Sequence, residues 1–125
     1  MTKVISTPNA PAAVGPYSQA ILSGETLYAS GQIAIDPTTG LLAGSSIEEQ
    51  TKQVMTNIGK LLEAAGFSFK DIVKTTIFIT DMNSFGVVNK IYGEYFTENP
   101  PARSCVAVNA LPKGALIEIE VIATK

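Results

Sequence analysis

PPARSCVAVNALPKGALIEIEVIA, residues 100–123, reads as two β-strands joined by a short loop. Paired prolines keep helix out of its start, and small or β-branched apolar residues fill 102–108 and 115–123. Leu111, Pro112, Lys113 and Gly114 mark the loop between them. Strand alternation places Arg103, Cys105 and Ala107 on one face of the first strand, opposite Ser104, Val106 and Val108. In the second strand Leu116, Glu118, Glu120 and Ile122 share a face opposite Ile117, Ile119, Val121 and Ala123. Strands apolar on both faces need cover on both, so helices on one side leave the other to pack in an oligomer.

The rest of the chain supplies the helices. Residues 7–16 (TPNAPAAVGP) form an irregular lead-in. Tyr17 to Leu22 and Thr26 to Ser30 are short β-like runs around Ser23, Gly24 and Glu25, a hairpin signal. After a turn at 36–40, Ser45 with Glu48 and Ser46 with Glu49 both fit a helix capping box, and Gly66 supplies the stop. Ile47, Val54, Met55, Ile58, Leu61, Leu62 and Ala65 form one stripe between them. Residues 72–80 (IVKTTIFIT) read as a strand, and a second helix runs from about Ser84 to Phe96 with Phe85, Val88 and Tyr92 on its apolar side. The expected order is β-β-α-β-α-β-β: an α+β fold with a mixed sheet and two helices on one face, in a single domain over residues 1–125.

Composition narrows the function. Hydrophobic residues make up 46% and charged residues 16%, apolar enough to suggest that some surface meets another subunit. Net charge is −2 with the lysines scattered, which argues against nucleic acid as a partner. There is no histidine, which removes Ser-His and Cys-His nucleophile pairs and most zinc sites. One cysteine excludes an internal disulfide and suggests a reducing compartment. With no apolar run of membrane-spanning length and no signal-peptide core, the expectation is a cytoplasmic protein without a membrane partner.

Arg103 is the only arginine, set in an otherwise apolar strand. Its planar fork can grip a carboxylate through two parallel hydrogen bonds. If the strands lie close, Arg103 and one of Glu118 and Glu120 can face one small space. Spacing alone leaves a structural ion pair and a functional site equally open. Cys105 has no histidine to act as base, which disfavours covalent catalysis and fits a small buried hydrophobe. Tyr17, Ser30, Gly31 and Asn89 are candidate polar or close-approach positions, none specific alone.

Together, APAAVGPYSQA (10–20), ASGQIAIDPTTG (29–40), AAGFSFKDIVKTTIFITDM (64–82), FGVVNKIYGEYF (85–96), PPARSCVAV and LPKGALIEIEVIA (111–123) resemble the Rid family across essentially the whole chain. That family includes the RidA enamine/imine deaminases and carries an older label of translation-inhibitor endoribonucleases. The resemblance implies a chorismate-mutase-like homotrimer with sites in clefts between subunits. It also implies hydrolysis of 2-iminobutanoate and 2-iminopropanoate, released by pyridoxal-phosphate-dependent dehydratases, to 2-oxo acids and ammonia. Arg103 then holds the substrate carboxylate and Glu118 positions the attacking water, with Glu120 as its structural partner. Tyr17, Ser30, Gly31, Asn89 and the backbone at Cys105 line the pocket. No metal or organic cofactor is implied. The same pocket could instead serve a non-catalytic regulator that binds 2-oxo acids or amino acids.

Overall fold

The computed structural model describes residues 2–125. Eight principal elements follow in order: β1 (Thr2–Ile5), β2 (Ala20–Ser23), β3 (Thr26–Gln32), α1 (Ile47–Ala64), β4 (Ile72–Ile79), α2 (Phe85–Gly93), β5 (Ala102–Ala107) and β6 (Ile117–Thr124). They build one six-stranded sheet in the order β1-β2-β3-β6-β4-β5. Only the β4–β5 pair is parallel, the others being antiparallel. The mixed sheet and its two helices match expectation, while β1 is an addition. Its four residues continue the β2–β3 hairpin by pairing Ile5 with Ala20 and Val4 with Ile21. Tyr17 lies in a bend, and the strand that follows it starts at Ala20.

Local chemistry explains the long helix. Ser46 caps α1 by accepting the Glu49 N–H at 3.1 Å, while the Glu49 carboxylate accepts the Ser46 N–H at 3.4 Å. Of the two overlapping boxes in the sequence, the second is the one used. At the far end Gly66 adopts φ +81°, where a side chain is strained, and the Phe67 N–H turns back to the Leu62 carbonyl at 2.9 Å. Val54, Met55, Ile58, Leu61 and Leu62 lie fully buried against Leu27, Ile77, Ile79, Ile117 and Ile119 of the sheet. Each such side chain contributes about 1.5–3 kcal/mol at most.

Polar side chains of α1 fasten the loops beyond β3. Asn57, fully buried, donates to the carbonyls of Ile33 and Ile35 at 3.2 and 2.9 Å. Gln50 donates to the Gly44 carbonyl and accepts the Leu116 N–H just before β6. The second helix stops at Gly93, short of the expected Phe96. Tyr95 and Phe96 still pack inward, with Phe96 4.7 Å from the Tyr92 ring and Tyr95 5.1 Å from Phe69.

The other face of the sheet carries no helix. Register partners Val4, Ile21, Tyr28 and Ile122 form an apolar row across it, with Val4 and Tyr28 exposed. Phe78 and exposed Val106 pair further along the same face.

Candidate functional site

At the junction of β3 and β6 the ladder slips: Ala29 pairs with Val121, yet Gln32 pairs with Ile119. The slip falls at Ser30 and Gly31 and opens the strand where Glu118 projects from β6. The Glu118 carboxylate lies directly on Gly31, and a Cβ added there would stand 2.8 Å from Glu118 Cδ. Burial, and then the neighbouring charge of Glu120, push the Glu118 carboxyl above its ordinary value. A carboxyl so tuned holds a proton more readily near neutrality than a free glutamate does.

These residues floor a cavity of about 610 Å³. The lead-in contributes Pro11, Val14 and half-exposed Tyr17 to its lining, the segment after β3 contributes Ile33 and Pro37, and the loop before β6 contributes Lys113. The lead-in wall is held by Gln19, a buried amide whose Nε2 donates to the carbonyls of Thr7, Ala10 and Pro11 and whose Oε1 accepts the Thr7 N–H at 2.7 Å. Ser30 closes the corner by donating its hydroxyl to the Ser18 carbonyl at 2.6 Å. Sequence reasoning passed over Gln19, Gln32 and Lys113. The only sequence signal for Lys113 is its place between Pro112 and Gly114 in the loop, where its backbone turns out left-handed (φ 59°). Gln32 Oε1 is the one buried side-chain oxygen or nitrogen without a partner among the described residues. Also among the described residues, no cluster of acidic or thiol side chains is arranged to hold a metal ion.

Arg103 belongs elsewhere. In register it stands beside Thr75 of β4, and Thr75 beside Val121 of β6, all facing the helices. Glu118 stands beside Phe78 and Glu120 beside Thr76, on the open face. Strand β4 separates β5 from β6, so within one chain Arg103 and the two glutamates occupy opposite faces of the sheet. The condition for them to share one space within a single chain, that their two strands pair or lie close, is not met. Parity within each strand was right, but the intervening strand was not visible.

The arginine has its own setting. Phe85, Asn89 and Tyr92, at helical spacing on α2, face it: Asn89 Oδ1 accepts the Arg103 Nη1–H at 2.6 Å. The guanidinium carbon lies 5.3 Å from the Phe85 ring centre and 5.2 Å from that of Tyr92. The one ion pair among the described residues joins Lys52 and Glu48, so Arg103 enters no structural salt bridge. Cys105 follows on the same face, packed against the core, and burial raises its thiol pKa despite the nearby guanidinium. The net rise disfavours the thiolate that a nucleophile needs. The candidate residues thus fall in two groups: Tyr17, Ser30, Gly31 and Glu118 line the cavity, whereas Arg103, Asn89 and Cys105 gather at the β5 edge.

Fold and site define a two-layer α+β protein with a carboxyl-bearing pocket and an unneutralised arginine. The chain belongs to the Endoribonuclease L-PSP family, the Rid family its motifs resemble, whose model matches residues 7–125. A 2-iminobutanoate/2-iminopropanoate deaminase of Rattus norvegicus is 53% identical over 98% of this chain and 90% of that protein. A Yersinia pestis protein of unknown function from the conserved Rid family is 57% identical in its crystal structure, with a TM-score of 0.98 and both chains fully covered. E. coli TdcF, solved with bound serine, is 40% identical over 98% of each chain with a TM-score of 0.94.

Proposed function

We propose that this protein hydrolyses short 2-imino acids, 2-iminobutanoate and 2-iminopropanoate, to 2-oxo acids and ammonia, in sites shared between chains of a homotrimer. The observation that carries the reading is the seat of Glu118: a carboxyl of raised pKa pressed on Gly31 at the floor of a cavity. The kinship with a protein named for this reaction supports it. So does the unpaired Arg103, whose fork suits a carboxylate.

In the proposed reaction Arg103 of one chain grips the substrate carboxylate and presents the C=N bond to the cavity of a neighbour. Glu118 takes a proton from water as the oxygen attacks the carbon of the protonated imine, giving a neutral carbinolamine. The same carboxyl returns that proton to nitrogen and then takes the hydroxyl proton as the C=O bond forms and the C–N bond breaks, and ammonia leaves with that proton as ammonium. Raised pKa suits a group that must accept and then donate within one turnover. Tyr17 and Ser30 line the path, and the backbone at Cys105 continues the edge beside the carboxylate.

The test generates 2-iminobutanoate with a threonine dehydratase and follows 2-oxobutanoate formation. Native protein is expected to accelerate it, and Arg103→Ala and Glu118→Gln to abolish the gain. No acceleration by folded native protein overturns the reading. The alternative of a non-catalytic sensor, favoured by the amino acid bound to E. coli TdcF, predicts binding of 2-oxobutanoate without turnover in the same experiment.

A further inference from the structure

An arginine that binds carboxylates is useful only if its fork points one way before the ligand arrives, since ordering it afterwards costs affinity. Arg103 has no carboxylate partner to fix it, and one hydrogen bond to Asn89 leaves rotation about that contact. The Tyr92 ring face, 5.2 Å from the guanidinium carbon, supplies a second constraint, provided that the ring itself is held. It is held: the Tyr92 hydroxyl and the Thr75 Oγ1 share a buried hydrogen bond of 2.8 Å, with Thr75 only 1% exposed. Thr75 is the residue directly beside Arg103 in the β4–β5 ladder. The same rung of the sheet therefore carries both the cation and the anchor of the ring that faces it.

We infer that Thr75 and Tyr92 are positioning residues for the carboxylate-binding arginine, acting through their hydroxyl pair to fix the ring that orients the Arg103 fork. The inference rests on the reading of Arg103 as the carboxylate grip. Burial raises the Tyr92 pKa, so its hydroxyl stays protonated through the neutral range and the pair persists there. Both act through the arginine rather than on the substrate, so their loss should appear in binding rather than in the chemical step.

The experiment measures calorimetric affinity for 2-oxobutanoate, steady-state kcat and KM for 2-iminobutanoate, and Tm, on Thr75→Val, Tyr92→Phe, their double variant and Thr75→Ser. Each single variant is expected to weaken 2-oxobutanoate binding and raise KM by about three- to tenfold with kcat kept, the range of one lost orienting contact. The double variant should lose no more than either single one, because the pair acts as a unit. Thr75→Ser, which keeps the hydroxyl, should restore native affinity. Native affinity and KM in both single variants, whatever their Tm, would show that the pair is only a core contact and overturn the inference. Arg103→Ala and Arg103→Lys run alongside: if they too bind 2-oxobutanoate like native protein, the carboxylate-grip reading fails and the inference falls with it. Weak binding there together with native binding in the Thr75 and Tyr92 variants isolates the failure to the positioning claim.

Discussion

Glu118 shows what burial does to a single titratable group. Its folded pKa lies above the ordinary glutamate value, so folding favours its protonated form. The stability tied to that preference is complete below the unfolded pKa and is lost as pH rises through the folded one. Glu118→Gln, which cannot ionise, should therefore raise Tm at neutral pH, with the gain fading below about pH 4, where glutamate is protonated in either state. Thermal unfolding of both proteins at several pH values checks this, and a gain that instead grows in acid refutes it. Gly31 makes the complementary case. Its backbone is not in the left-handed region, so Gly31→Ala strains only the space that the flexible Glu118 carboxylate occupies. The expected outcome is a small change in Tm beside a loss of imine hydrolysis of about 100-fold or more, as for a displaced general base.

Among the secondary-structure elements, α1 was the most legible and β1 the least. Serine and glutamate at cap spacing, an apolar stripe and a terminal glycine all marked the same 18-residue helix, because each signal is local. The exposed Ser46 cap should be worth about 1 kcal/mol, so Ser46→Ala is expected to lower Tm by a few degrees and leave activity alone. Differential scanning calorimetry beside the imine assay tests both halves. Thr2–Ile5 is four residues long with three of them exposed, and it is a strand because β2 offers it partners, a fact that no window of four residues contains. The same limit governed the site. Alternation correctly put Glu118 with Glu120, and Arg103 with Cys105, since period two is a property of one strand. Whether those two faces coincide depends on which strand lies between, and β4, inserted from earlier in the chain, decides it. Gln19 was missed for a related reason: its role appears only when the lead-in at 7–11 folds back on it.

In the molecule as a whole, the two halves of the proposed site face away from each other. Glu118 opens on the uncovered side of the sheet and Arg103 on the helix side of its β5 edge, so one chain cannot bring both to a short imino acid. A closed ring of identical chains solves this if the β5 edge of each chain meets the cavity of the next, with the exposed row of Val4, Tyr28 and Val106 buried as the chains close. Every site then takes its arginine from one chain and its glutamate from another. That arrangement has a consequence that no single-chain site shares. Arg103→Ala keeps Glu118, and Glu118→Gln keeps Arg103, so two inactive proteins hold complementary halves. Unfolded together and refolded in equal amounts, they should recover about a quarter of native activity, since each half is intact with even odds at every site. Mixing without subunit exchange should recover none, and mass measurement should report three chains. A site complete within one chain gives no recovery under either protocol, because every chain in the mixture lacks one of the two groups.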